Sequence, residues 1–275
     1  MATLSYKLQL TKGFFAEFSQ LARMLAYAVE HSDEGRIPPN AYAASLGVSD
    51  SRVANLSSLS AAFGLIRPAV LVPTQLGLII HRHDPFLGDL GTIWLLHYLV
   101  SSNERYVVWN RLVNRVIPEN GRFSTAIARP YFDDLSQFYS EHSMDKHVRK
   151  EMGAVWNAYT AQALRYLDYI RPESEQIYVH GDPEPVPPHI FCAALLSYRE
   201  RFAPKAVTLD VAILANDANS PGLVFGLTQR RVRDLLEDAR GLGFIYVETR
   251  ADLDQVRFRD DRGFLNIVQH YYEER

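Results

Sequence analysis

Apolar side chains recur every three or four residues near the start of the chain, which is the spacing of one helix face. Five of them form this stripe: Phe14, Phe18, Leu21, Leu25 and Val29. Gly35 and the Pro38-Pro39 pair interrupt the pattern, because neither residue type continues a helix easily. The pattern therefore predicts one helix up to about His31 and a second, short helix from Pro39 to Leu46.

A tight turn separates this short helix from the next one. Gly47 can adopt the left-handed conformation that ends a helix, and Ser49 can cap the helix that follows. The third helix is predicted to bury four apolar side chains: Val53, Leu56, Leu59 and Phe63. Leu65–Arg67 and Val70–Val72 follow it and are interpreted as two short strands around a bend at Pro68. Helices, turn and hairpin in this order predict a winged helix-turn-helix unit.

The middle of the chain, from Asp84 to about Arg171, is predicted to be wholly helical. Thr92–Val100 and Tyr106–Val116 are dense in apolar residues. Met144–Tyr159 carries a helical stripe, and a short strand is predicted over Gln176–Val179. The stripe consists of Val148, Met152, Val155 and Tyr159.

His180–Pro188 contains four prolines and one glycine, which indicates an extended connector. The first pattern then recurs, with helices predicted over His189–Phe202 and Thr208–Leu214 and a long turn from Asn216 to Gly226. Thr228 is expected to cap a further helix, which buries Val232, Leu235, Leu236 and Ala239. Strands at Phe244–Glu248 and Val256–Arg259 and a last helix at Phe264–Tyr271 complete a second winged-helix-like unit.

The predicted fold class is therefore mainly α with small β-hairpin wings. Two winged-helix-like units flank a helical middle domain. The predicted boundaries are residues 1–83, 84–180 and 181–275.

Composition narrows the class of protein. The 275 residues are 47% hydrophobic and 22% charged, as in an ordinary globular protein. No apolar run approaches the length of a membrane span, no signal peptide is recognisable, and the single cysteine, Cys192, suits a reducing compartment. We therefore expect a cytoplasmic protein without a membrane partner. The formal net charge of −3 means that any surface for nucleic acid must be a local basic patch.

Several stretches closely resemble a bacterial family known as domain of unknown function 4007. They are Gly64-Leu65-Ile66, Thr74-Gln75-Leu76-Gly77, the run from Asp84 to His97 (DPFLGDLGTIWLLH), Pro187-Pro188-His189-Ile190-Phe191, and the run from Ser220 to Leu227 (SPGLVFGL). The opening from Thr11 to Phe18 departs from the family, many of whose members begin with a His- and Arg-containing segment. The resemblance implies an association with DNA phosphorothioation and phage-defence genes. It implies no catalytic residue, because the family has no assigned biochemistry.

Candidate DNA contacts lie on the third helix of each winged unit and on the wings. In the first unit they are Arg52, Asn55 and Arg67. In the major groove, an Arg side chain can form two hydrogen bonds with guanine, and an Asn side chain can form two with adenine. In the second unit they are Gln229, Arg230, Arg231, Arg233, Arg250 and Arg257, with Arg259 nearby. The alternative is a solvated surface of salt bridges, since eight arginines and eight acidic residues balance between Thr228 and Arg262.

Catalytic and metal-binding patterns are weak. His81, His83 and Asp84 do not share a helix face and lack a HExxH partner, so they are interpreted as a surface helix end. Asp133 and Asp134 are interpreted as a charge pair in the first turn of a helix. Trp94, His97, Tyr98, Trp109 and Cys192 are interpreted as core residues. We expect no enzymatic activity, no cofactor and no metal.

The preferred hypothesis is a non-enzymatic component of a bacterial DNA-modification or phage-defence system. It would bind or sense double-stranded DNA, plain or modified, and act beside neighbouring defence or modification proteins. The first alternative is a protein-interaction scaffold or adaptor of such a complex. The second is a metal-dependent nuclease using the central histidines and acids, such as His83 and Asp84.

Overall fold

The computed structural model describes residues 6–34, 37–250, 253–259 and 263–275. The chain divides into two compact units, Met1–Glu184 and Pro185–Arg275. The division falls in the proline-rich segment that precedes α11 (Pro188–Phe202). Residues 1–83 and 84–180, which the sequence suggested as separate domains, lie in one unit. None of the described helices combines the length and the apolar character needed to cross a bilayer.

The first unit is mainly helical. Its described α-helices are α1 Phe18–Glu30, α2 Pro39–Leu46, α3 Asp50–Ala62, α4 Gln75–His83, α5 Leu90–Ser101, α6 Val107–Arg111, α7 Ile117–Glu119, α8 Thr125–Ala128, α9 Glu141–Ser143 and α10 Arg149–Thr160. Short π-helical turns at Leu112–Val116 and Met144–Val148 continue into α7 and α10, and 3-10 turns span Ser32–Glu34, Arg129–Gln137 and Ala163–Leu167. The strands are β1 Arg122–Phe123, β2 Ile170–Ser174 and β3 Ile177–His180.

The predicted turn before α3 is confirmed. Gly47 ends α2 with a φ of 65°, and the Ser49 hydroxyl accepts the Arg52 N–H at 3.3 Å. The two segments predicted as strands after α3 do pair antiparallel, but only through an isolated bridge between Ile66 and Pro73. The turn between them lies at the predicted bend, where Ala69 takes a φ of 64°.

Buried aromatic and polar groups form the centre of the first unit. The stripe predicted over Val148, Met152, Val155 and Tyr159 is buried, as are Trp94, His97, Tyr98 and Trp109. The Tyr159 hydroxyl lies 2.6 Å from His97 Nδ1 and accepts the Trp109 indole N–H at 3.3 Å. The polar atoms of Tyr159, His97 and Trp109 are thus paired with one another inside the core. The prediction of a core role is confirmed.

A small antiparallel sheet with strand order β1-β3-β2 corrects the prediction of a wholly helical middle region. β3 corresponds to the strand predicted over Gln176–Val179, whereas β1 and β2 were not predicted. Gln176 makes the turn between β2 and β3 with a φ of 62°. β2 buries Ile170 and leaves its other residues exposed, so its sequence lacks the alternation that reveals a strand.

The second unit combines helices with one sheet. Its elements are α11 Pro188–Phe202, β4 Thr208–Asp210, α12 Val211–Asn216, α13 Pro221–Val224, α14 Gln229–Gly241, β5 Ile245–Arg250, β6 Leu253–Phe258 and α15 Phe264–Glu273. The strands are antiparallel in the order β4-β6-β5. The segment Thr208–Leu214, predicted as a helix, begins as a strand because Thr208–Asp210 pairs with β6. The long turn predicted from Asn216 to Gly226 contains α13.

Helix packing in the second unit follows the apolar pattern of α14. Val232, Leu235, Leu236 and Ala239 are buried, as predicted. Gly222 lets α13 approach α12, since a Cβ there would lie 2.6 Å from Ala215 Cα. The buried face of α14 leaves its polar side chains on the opposite, solvent-facing side.

Candidate nucleic-acid interface

The first turn of α14 carries two exposed cations. Thr228 caps the helix, and its hydroxyl accepts the Arg231 N–H at 3.2 Å. Gln229, Arg230 and Arg231 are all exposed. Within the described part of the chain, neither Arg230 nor Arg231 has a carboxylate partner. Among the described residues, no carboxylate therefore neutralises these two guanidinium groups at the N-terminus of the helix.

Arg233, one turn further along, is in a different state. Its guanidinium donates two hydrogen bonds to one carboxylate oxygen of Asp254 on β6, and the Nε bond measures 2.9 Å. At the other end of α14, Arg240 pairs with Glu237 at 2.6 Å. Both side chains are more than half exposed, but each positive charge is matched by an adjacent negative one. Of the predicted cations on this helix, only the charge of Arg233 is neutralised by such a pair.

The positive charges of the hairpin formed by β5 and β6 are also partly neutralised. Arg257 on β6 pairs with Glu248 on β5 at 2.7 Å. The Arg259 guanidinium lies over the ring of Tyr246, 5.4 Å from its centroid, and this ring is 51% exposed. The side chain of Arg250 lies outside the described part of the chain, as do residues 251 and 252 at the tip.

In the first unit, the structure corrects the prediction that Arg52 and Asn55 face solvent from α3. Asn55 is fully buried, and its amide donates to the Thr11 carbonyl at 2.6 Å. The Arg52 side chain is 13% exposed and pairs with Glu17 at 2.8 Å. Placed in this way, neither side chain presents its polar groups to a DNA groove. Arg67, in the bend after α3, is exposed.

Arg52 and Asn55 instead hold the opening segment of the chain against α3. Arg52 donates to the Phe15 carbonyl at 3.2 Å and to the Asn55 side-chain oxygen at 3.0 Å. Thr11 is held from its other side by Glu151 of α10, which accepts the Thr11 N–H at 3.0 Å and its hydroxyl at 2.8 Å. Burial raises the pKa of Glu151 to about 7, although the hydrogen bonds from Thr11 act in the opposite direction.

A cationic cavity beside α3 was not predicted from the sequence. It has a volume of about 460 Å³, and Lys7, Lys12 and Arg105 contribute its positive charges. Burial, followed by the nearby charges of Arg105 and Lys12, lowers the pKa of Lys7. One wall of the cavity consists of α3 residues that are small or polar: Asp50, Ala54, Ser57, Ser58 and Ala61. The only sequence signal of this cavity was the row of small residues on one face of α3. Its cationic character could not be predicted, because Arg105 is remote in sequence from both lysines.

Three aspartates of the central region have structural partners. Asp84 accepts the backbone N–H groups of Gly88 at 3.0 Å and Asp89 at 2.9 Å, and so shapes the loop before α5. Asp133 pairs with Arg129 at 2.6 Å. Hydrogen bonding to Arg111 lowers the pKa of Asp134. Among the described residues, neither His83 nor Asp84 belongs to a group of metal-binding side chains.

The fold is shared with known structures. Two crystal structures of SspB, one of them bound to magnesium ion, match the chain with TM-scores of 0.78 and 0.77 at 18% and 19% identity. Each match covers 96% of this chain and 86% of the SspB chain. No curated protein matches the chain. The model of the protein family of unknown function DUF4007 matches residues 28–272, and the chain therefore belongs to this family.

Proposed function

We propose that this protein is a non-enzymatic, DNA-binding component of a bacterial DNA-modification or phage-defence system. The second unit would bind double-stranded DNA as a winged helix, with α14 as the helix that enters the major groove. The observation that carries the proposal is the pair of exposed cations Arg230 and Arg231 at the start of α14, which have no carboxylate partner in the described part of the chain. The link to phosphorothioation and to neighbouring proteins of such a system rests on the family.

The order of elements supports the winged-helix assignment. A strand pairs with a C-terminal hairpin, and the helix that precedes the hairpin leaves a polar face in solvent. In winged helices, the helix at this position reads base edges with its N-terminal residues. Gln229, Arg230 and Arg231 occupy those positions in α14.

Electrostatics at the start of α14 also favour a polyanion. The helix dipole is positive at the N-terminus, so two cations placed there are electrostatically unfavourable unless an anion is bound. A DNA phosphate satisfies both the guanidinium groups and the free N–H groups of the first turn. Arg233 is expected to contribute less, because Asp254 already neutralises it.

Binding of the full chain to fluorescent duplexes tests the proposal. Plain and phosphorothioated duplexes are compared at low and at near-physiological salt. We expect the affinity to fall steeply with salt, and Arg230→Ala or Arg231→Ala each to reduce the slope of log K against log salt by about 0.9, the value for one lost phosphate contact.

Arg240→Ala is the matched control, since it removes the same charge from the other end of the same helix. It should leave both affinity and salt slope close to those of the wild type. Failure of every duplex to bind at low salt would reject the proposal and favour the adaptor alternative. Equal losses of affinity in all three variants would mean that only the net charge of the protein determines binding.

A further inference from the structure

Three side chains of the types that bind metal ions converge in the second unit. His189 lies in the first turn of α11, while His270 and Glu274 lie at the end of α15. We propose that these three side chains hold a divalent transition-metal ion of the zinc class. The site goes beyond the proposed DNA binding and does not depend on it.

The distances match a metal coordination sphere. Zinc bonds to imidazole nitrogen and carboxylate oxygen are about 2.0–2.2 Å long, so neighbouring ligand atoms of a tetrahedral site lie about 3.3 Å apart. His189 Nε2 lies 3.0 Å from Glu274 Oε2, and His270 Nδ1 lies 3.2 Å from Glu274 Oε1. The two imidazole nitrogens are 3.3 Å apart. An ion just outside the plane of these atoms therefore reaches the three side chains without large movement.

The surrounding elements fix the ligands in this arrangement. His270 and Glu274 are four residues apart, which brings their side chains together at the end of α15. His189 is 8% exposed, and the ring of Phe244 packs edge-on against it at 5.2 Å and against His270 at 5.5 Å. Glu274 is 45% exposed, so an ion can enter from solvent.

The ligand chemistry also favours a metal. The neutral imidazole is the form that binds a metal ion. The two facing ring nitrogens lie 3.3 Å apart, so one ion can accept a lone pair from each of them. Three protein ligands leave a fourth position for water, as in open zinc sites.

The expected consequence is a link between the two helices. An ion bound by His189 and His270 joins the start of α11 to the end of α15, two helices that pack against each other. Because the ion binds only the folded arrangement, it should raise the melting temperature of the second unit in proportion to the logarithm of its concentration. The three ligands are distinct from His83 and Asp84 of the central region.

Titration of the tag-free, chelator-treated full chain with Zn²⁺ by calorimetry tests the site, and the visible spectrum of the Co²⁺ form reports its coordination. We expect one ion per chain, a Co²⁺ spectrum typical of a four-coordinate nitrogen and oxygen site, and a higher melting temperature. His189→Gln, His270→Gln and Glu274→Gln should each weaken binding by about 100-fold or more, since outer-shell changes alone cost about 10–100-fold.

His142→Gln is the matched control, because His142 is an exposed histidine in the other unit. It should bind Zn²⁺ as the wild type does. Glu274→Gln provides a variant at a largely exposed position in case substitution of the buried His189 prevents folding. Wild-type protein that binds no Zn²⁺ at micromolar concentration would overturn the proposal. So would the retention of one tight ion in the His270→Gln and Glu274→Gln variants.

Discussion

Replacement of Glu151 by glutamine should change how the stability of the first unit depends on pH. Glu151 is 1% exposed, and burial raises its pKa from 4.5 to about 7. A carboxyl group with a raised pKa in the folded state stabilises the fold in its protonated form. The contribution of Glu151 to the free energy of unfolding is therefore complete below about pH 4.5 and is lost as the pH rises through 7.

The size of the effect follows from the two pKa values. A difference of one in pKa corresponds to 1.36 kcal/mol, so the interval from 4.5 to about 7 corresponds to a loss on the order of 3 kcal/mol. Glutamine does not titrate, and its side-chain oxygen can still accept the Thr11 N–H. The stability of Glu151→Gln relative to the wild type should therefore rise by about this amount between pH 4.5 and pH 8.

Urea unfolding of the full chain at several pH values, followed by tryptophan fluorescence, measures this difference. Trp94, Trp109 and Trp156 are the three tryptophans of the chain, and all are buried in the first unit, so the signal reports on that unit. Glu141→Gln, at an exposed position, is the control and should follow the wild type at every pH. If the difference between Glu151→Gln and the wild type does not vary with pH, the reasoning from burial is refuted.

Two further predictions concern the second unit. Gly222→Ala should destabilise it by about 1–3 kcal/mol or more in thermal unfolding followed by circular dichroism, because the new Cβ would lie 2.6 Å from Ala215 Cα. At Gly241 an added Cβ meets no atom within 4 Å, so Gly241→Ala should be neutral or slightly stabilising. Equal losses of stability in the two variants would contradict the steric argument. Cys192 is fully buried and burial raises its pKa, so a thiol reagent should label it only in denaturant; rapid labelling of the native protein would exclude this packing.

Strongly periodic and locally capped elements could be predicted from the sequence. The stripe through Val148 and Met152 and the caps at Ser49 and Thr228 depend on residues close together in the chain, so local pattern was sufficient. The sheet β1-β3-β2 could not be predicted, because β1 has two residues and β2 exposes most of its side chains. Short, polar strands are specified by their partners rather than by their own sequence.

The candidate sites show the same limit. The exposed cations of α14 were found because Arg230 and Arg231 are consecutive and lie in the first turn after the cap at Thr228. The Asn55 side chain was wrongly predicted to face solvent, because its hydrogen-bond partner, the Thr11 carbonyl, is 44 residues away in the sequence. His189 and His270 were not connected for a similar reason, since 81 residues separate them and neither belongs to a recognisable metal motif. Side chains that meet only after folding leave no local signal in the sequence.

The hydrogen bonds between Thr11 and Glu151 have a consequence for synthesis of the protein on the ribosome. The carboxylate that holds Thr11 is translated 140 residues after it. Thr11 therefore leaves the exit tunnel before the carboxylate that accepts its N–H and hydroxyl groups has been made. Thr11 thus cannot reach its native position before α10 has been made, although its own segment is synthesised much earlier.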